Sequence, residues 1–288
     1  MKEPLFNIEQ RVMTLNWLSN SASNKFGTAN QLQEEMQKDL EKLFSNSAMQ
    51  SKIGLWELEW GPVVIQEGKD VKTKVATNAM FVAKQTAYNG HDDHYVIAIA
   101  GTNAVSMYGW IVEDFKTNEL VLWSQAANEE KICKPTLSDP AEPRVSQGTC
   151  IGLTHLLNMS WQPPKPQGKN KTAPVSQTLL QFLEERFGEL PLQRDLLSVT
   201  GHSLGGALSA ALALRLSEAQ LKPYGAIKKA WNPSNSVTLT AMPTAGPTPG
   251  NKAFANYYNN TIGFKTTRVW NNMDPVPYGH QPDMIRAI

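Results

Sequence analysis

The stretch "LLSVTGHSLGGALSAALALRL", Leu196 to Leu216, constrains the fold of this chain more than any other. An apolar, β-leaning run meets a glycine-rich corner and continues at once as an Ala/Leu helix pattern. A strand that turns directly into a helix needs small residues at the corner, and Gly201 and Gly205 supply them. Ser203, between them, adds nothing to such a turn by itself. The G-x-S-x-G pattern at a strand–helix junction has a use for a serine when the turn lifts its hydroxyl above the sheet edge as a nucleophile. The helix that follows aims its N-terminal amides at the same point, where they favour developing negative charge. A tight corner without chemistry would explain the glycines and leave the serine unexplained.

The rest of the chain supplies a setting for that corner. The first ~50 residues read as helical: "TANQLQEEMQKDLEKLF" puts Leu32, Met36, Leu40, Leu43 and Phe44 on one stripe, which is a packing signal. Strand-like runs follow at "WELEWGPVVIQ", "NAMFVAKQ" and "HYVIAIAG", the last so continuously apolar that burial on both faces is expected. Residues 161–174, "WQPPKPQGKNKTAP", read as a loop or insertion rich in Pro, Lys and Gly. "QTLLQFLEERF" predicts a helix before the corner. After it, "SVTLTAM" and "TTRVWNN" predict strands, with a helix at "NKAFANYY". Strands alternating with helices predict an α/β protein with a mainly parallel central sheet.

Bulk properties exclude several function classes. The 288 residues suffice for a large core, and the net charge of +1 gives no electrostatic reason to expect nucleic acid as a partner. No run approaches the roughly 20 apolar residues of a membrane span, and the N-terminus does not read as a secretory signal, so a cytoplasmic location is expected. No metal-ligand spacing is present and no cofactor is expected. Cys133 and Cys150 could pair, but two cysteines make no framework.

A serine hydroxyl is a poor nucleophile until a histidine takes its proton and an acid orients that histidine. Asp274 is a candidate acid: it follows a predicted strand and is held in a loop by Pro275 and Pro277. Read together, the segments resemble the class 3 lipase family, the fungal triacylglycerol lipases and their bacterial and plant relatives. "VTGHSLGGALSAALAL" matches that family's elbow, with His202 before the serine and Gly206 after Gly205. "YVIAIAGTNAVSMYGWIVEDF" is similar to its strand, oxyanion loop and lid, "TAGPTPGNKAFANYY" to its G-x-P-x-x-G-N-x-x-F segment, and "RVWNNMDPVPYG" to its acid loop. The resemblance covers roughly residues 55 to 280. It implies an α/β-hydrolase fold over 55–288, preceded by an N-terminal helical segment, 1–54.

The resemblance also implies roles. Ser203 would be the nucleophile and Asp274 the acid. The N–H groups of Thr102 and Leu204 would stabilise the oxyanion, with the Thr102 hydroxyl a further candidate. Trp110, with Met107, Tyr108, Ile111 and Val112, would belong to a lid through which the protein meets a lipid–water interface. One departure is Ala100, where many relatives carry Arg.

The histidine departs further. The family carries it tens of residues beyond the acid, and only fourteen residues follow Asp274. His202 adjoins the nucleophile and should leave the elbow on the other face. His91 and His94 precede a strand whose far end is the active one, and His155 lies in an apolar helical pattern. His280 alone follows Asp274, in the same Pro-rich loop, unlike the family. The expectation is a chain that forms the front of a longer protein, with the last strand and the catalytic histidine beyond Ile288. Two functions stay open: a serine hydrolase acting on a lipid or other carboxylic ester, or a catalytically silent lipase-like binding or scaffold protein.

Overall fold

The run "HYVIAIAG" builds the middle of the sheet. In the computed structural model, which describes residues 3–67, 69–88, 91–101, 119–126, 133–135, 141–163, 175–189, 194–225, 227–274 and 276–278, it forms most of strand β3 (His91–Ile99). Among the described residues the central sheet also holds β1 (Glu57–Ile65), β2 (Asn78–Tyr88), β4 (Leu196–His202) and β5 (Thr238–Thr244), in the order β1-β2-β3-β4-β5. β2 runs antiparallel to both β1 and β3, whereas β3, β4 and β5 are parallel. The predicted strand "TTRVWNN" extends this parallel part as two isolated bridges, Thr266 to Ala241 and Val269 to Thr244. Register aligns Ile99 with Gly201 and His202 with Thr244, so the carboxyl ends of these segments meet along one edge.

Alternation along β3 sorts the core into two layers, as a sheet covered on both faces requires. Tyr95, Ile97 and Ile99 face one layer, and Val96, Ala98 and Ala100 the other. The second layer is completed by α1 (Ile8–Ser19), α2 (Ala29–Phe44) and α3 (Ser47–Ile53). The predicted stripe of α2 is there: Leu32, Met36, Leu40 and Phe44 are buried. Asn7 and Thr28 start α1 and α2 as capping boxes with Gln10 and Gln31. The first layer holds α4 (Gln147–Asn158), α5 (Leu179–Phe187), α6 (Leu204–Glu218) and α7 (Lys252–Thr261).

Helix α6 is buried on every side from Leu204 to Leu216, which fits its near-absence of polar residues. Its one internal charge, Arg215, is neutralised in place. The guanidinium lies 2.6 Å from the Glu218 carboxylate and 4.2 Å from the centre of the Trp123 ring. Glu218 also accepts from the Trp123 indole at 2.8 Å and the Tyr257 hydroxyl at 2.7 Å. Cys133 and Cys150 are joined as a disulfide, which fixes residue 133 to α4. Most of the predicted insertion at 161–174 lies outside the described residues, apart from Trp161–Pro163 at its start. Among the described residues no helix is long and apolar enough to cross a membrane.

Candidate active site

The corner between β4 and α6 is built as its glycines require. A side chain at Gly201 would overlap the carbonyl oxygen of Gly205. A Cβ at Gly205 would lie 2.6 Å from the carbonyl oxygens of both Ile99 and Ala100. Between them Ser203 adopts φ 57° and ψ −123°, a backbone conformation that an L-residue with a side chain enters only at a cost. It is the N-cap of α6, yet its side chain makes no capping hydrogen bond; at α1, α2 and α5 the N-cap side chain does cap. The Ser203 N–H instead donates to the Thr244 carbonyl at 3.0 Å, and its carbonyl accepts from Gly206 N–H at 2.8 Å.

Ser203 is not open to solvent as the sequence suggested. It is 4% exposed, and the carboxyl end of β3 lies against it: a Cβ on Gly101 would come within 3.4 Å of the Ser203 Cβ. Leu204, the first residue of α6, has an N–H without an intrahelical partner by helix geometry, as an oxyanion donor must. Thr102, Trp110 and His280 lie outside the described residues, as do Met107, Tyr108, Ile111 and Val112.

Asp274 follows the segment that bridges to β5, on the same carboxyl edge as Ser203. Its carboxylate accepts from Val276 N–H at 3.0 Å, and its own N–H donates to the Asn271 carbonyl at 3.0 Å, which fixes the loop. Asp274 is close enough to His202 to act on it electrostatically: burial pushes the imidazole below its ordinary pKa, and the Asp274 carboxylate opposes that shift. Three histidines have partners other than the Ser203 side chain. His94 pairs with the Ser198 hydroxyl at 3.0 Å deep in the sheet, and His155 with Glu67 at 2.8 Å. The His202 ring packs on Trp17 of α1, centroids 4.7 Å apart, on the face opposite α6. His91 begins β3, at the strand end remote from Gly101.

Helix α1, expected from the sequence only as part of a helical N-terminal segment, reaches this edge. Asn16 donates to the Thr244 hydroxyl at 3.1 Å, and Asn20, its C-cap, accepts from Gly101 N–H at 2.8 Å. The available signal was periodicity. Val12, Leu15, Asn16 and Ser19 form the buried face, so polar residues stand where the helical period calls for apolar ones.

The elbow at Ser203 ends β4, and Asp274 follows the segment two places along the parallel part of the sheet, beyond β5. The lipase (class 3) family model matches residues 167–282. The crystal structure of M37 lipase is 30% identical over 94% of this chain and 69% of that chain, with a TM-score of 0.70. The chain belongs to the class 3 lipase family. Two further solved structures are more distant in sequence. Lipase II from Rhizopus niveus is 15% identical, covering 96% of this chain and 76% of that one, with a TM-score of 0.52. Nonglycosylated Yarrowia lipolytica LIP2 lipase is also 15% identical, covering 93% and 73%, with a TM-score of 0.54. These two share the α/β-hydrolase fold. No curated protein matches the chain. Within the class 3 lipase, Gly201, His202, Ser203 and Gly205 form one corner, with Leu204 opening α6 and Asp274 on the same sheet edge.

Proposed function

We propose that the protein is a serine hydrolase that cleaves carboxylic esters through an acyl-enzyme on Ser203, with a lipid ester as substrate. The observation that carries this is the Ser203 backbone, held in a disfavoured conformation at a helix N-terminus while its hydroxyl is withheld from capping. A binding scaffold has no use for that arrangement, which weighs against the silent alternative. The hydroxyl attacks the ester carbonyl, its proton passes to a histidine, and the alcohol leaves with that proton; water then releases the acid and restores the serine. The N–H groups of Leu204 and Thr102 receive the oxyanion, a contribution typically worth about 3 to 4 kcal/mol per donor. Asp274 orients the histidine. The lipid preference follows from family membership and from the M37 relative being a lipase.

Ser203→Ala should lower ester turnover by about four to six orders of magnitude while leaving circular dichroism and Tm close to wild type. Turnover of p-nitrophenyl esters at the wild-type rate by that variant would remove Ser203 from the mechanism. His94, His155 and His202 are engaged elsewhere, so His280→Ala is the companion experiment: loss to the level of Ser203→Ala makes His280 the base, and retained turnover excludes it. The stretch around Trp110 is proposed as a lid over the apolar cleft. The Cys133–Cys150 disulfide is of the kind that persists in oxidising compartments and favours one over the cytoplasm.

A further inference from the structure

Among the described residues four that are not glycine have a positive φ: Lys74, Ser203, Asn235 and Ala245. Two of them meet at one peptide group. The Ser203 N–H donates to the Thr244 carbonyl at 3.0 Å, and the nitrogen of that same peptide is Ala245's, whose N–H donates to the Val269 carbonyl at 2.8 Å. Alanine has no side-chain hydrogen bond with which to offset a φ of 47°, so the surroundings hold it there. They do so at close range. A Cβ on Gly206 would lie 2.6 Å from the Thr244 carbonyl oxygen, and one on Gly246 would lie 2.6 Å from the Ala207 nitrogen. The turn at Ala245 thus sets the end of β5 directly on the first turn of α6.

We infer that Ala245 is a positioning residue for the nucleophile, acting through the Thr244–Ala245 peptide group. The inference rests on the reading of Ser203 as nucleophile. Its physical basis is peptide planarity. The Thr244 C=O and the Ala245 N–H belong to one rigid amide, anchored on Val269 at one end and holding Ser203 at the other. The orientations of the two amides that flank Ser203 set its φ and ψ. The preceding amide is held by the Thr244 carbonyl through the Ser203 N–H. The following one is held through the Ser203 carbonyl, which accepts from the Gly206 N–H at 2.8 Å. With both planes fixed, the direction of the Ser203 Cα–Cβ bond is fixed too. A change of φ at Ala245 tilts the amide that carries the Thr244 carbonyl, and so moves the acceptor of the Ser203 N–H. Val269 lies on the segment that leads to Asp274, so the same amide ties the strand of the nucleophile to that of the acid. Misplacement by about 1 Å is enough to cost on the order of 100-fold in rate.

The test compares wild type with Ala245→Gly, Ala245→Asn and Ala245→Val, with Ser203→Ala as control. Glycine and asparagine accept a positive φ, whereas β-branched valine resists it, and asparagine and valine both add bulk. Active sites are counted by fluorophosphonate labelling carried to completion. The kcat and KM per labelled site are measured on a short-chain p-nitrophenyl ester, and hydrogen exchange of the Ser203 amide is followed by NMR. Ala245→Val should lose about 10- to 100-fold in kcat with KM within about twofold, and its Ser203 N–H should exchange faster. Ala245→Gly and Ala245→Asn should stay within about threefold of wild type in kcat. If Ala245→Val does not fold, replacing Ala245 by lactate takes its place. The resulting ester keeps the side chain, deletes the donor to Val269 and weakens the acceptor for Ser203, so kcat should fall likewise. Wild-type kcat per labelled site in the deciding variant would overturn the inference while leaving Ser203 as nucleophile, whatever the yield of labelled sites. Equal losses in the Gly, Asn and Val variants would overturn it, as would a fall in kcat with Ser203 exchange unchanged. Wild type that is not labelled, or that matches Ser203→Ala, would fail the parent reading and the inference with it.

Discussion

At the corner, single atoms carry the constraints. Gly205 faces two backbone carbonyl oxygens, of Ile99 and Ala100, which cannot swing aside as a flexible side chain would. Gly205→Ala should therefore push α6 away from β3, destabilising the protein by about 1 to 3 kcal/mol and lowering turnover per folded molecule. An unchanged Tm with wild-type kcat would contradict the geometry. His202 yields a pH prediction. Its folded-state pKa lies below the unfolded one because burial disfavours the imidazolium, so the unfolded chain binds the proton more readily. Its contribution leaves stability intact above the unfolded pKa and erodes it as pH falls through the unfolded and then the folded value. Chemical denaturation between pH 7.5 and 5 should show stability falling on acidification, with a smaller fall in His202→Gln. A variant that keeps the wild-type slope would assign the fall to other groups.

At the scale of elements, α6 serves two ends. Its first turn receives the chemistry, and its last turn holds the buried Arg215–Glu218 pair with Trp123 and Tyr257. Glu218→Ala leaves a guanidinium buried without its carboxylate, and should cost about 3 to 5 kcal/mol. The pair stands roughly 20 Å along the helix from Ser203, so kcat per folded molecule should stay at the wild-type value. Differential scanning calorimetry with active-site titration separates the two effects. The elbow was legible in the sequence because an apolar, β-leaning run, two glycines and an apolar helix leave few local alternatives for residues 201–205. The α2 stripe was legible from its periodicity. The grip of α1 on Gly101 and Thr244 was not: Asn20 and Gly101 are 81 residues apart, and no local pattern encodes a contact at that separation. The depth of Ser203 was equally hidden, since it depends on how β3 closes against β4. The strand expected at "TTRVWNN" pairs with β5 through bridges at Thr266 and Val269 and the backbone hydrogen bonds between them.

For the whole molecule, two helical layers bury both faces of the sheet and leave its carboxyl edge to the site, with Ser203 at 4% exposure. If the Trp110 stretch covers an apolar cleft, an interface offers another place to bury that surface. Turnover of one ester should then rise above its critical micelle concentration, and Trp110→Ala should blunt the rise; equal rates across that concentration in both proteins would exclude a gating lid. Covalent labelling decides whether the strained Ser203 is the nucleophile. Purified protein treated with an alkyl fluorophosphonate and digested should carry one phosphonyl group, mapped by mass spectrometry to the Ser203 peptide, with ester turnover lost in proportion. Full ester turnover in protein that carries the adduct on Ser203, or turnover lost with the adduct on another residue, would contradict that reading.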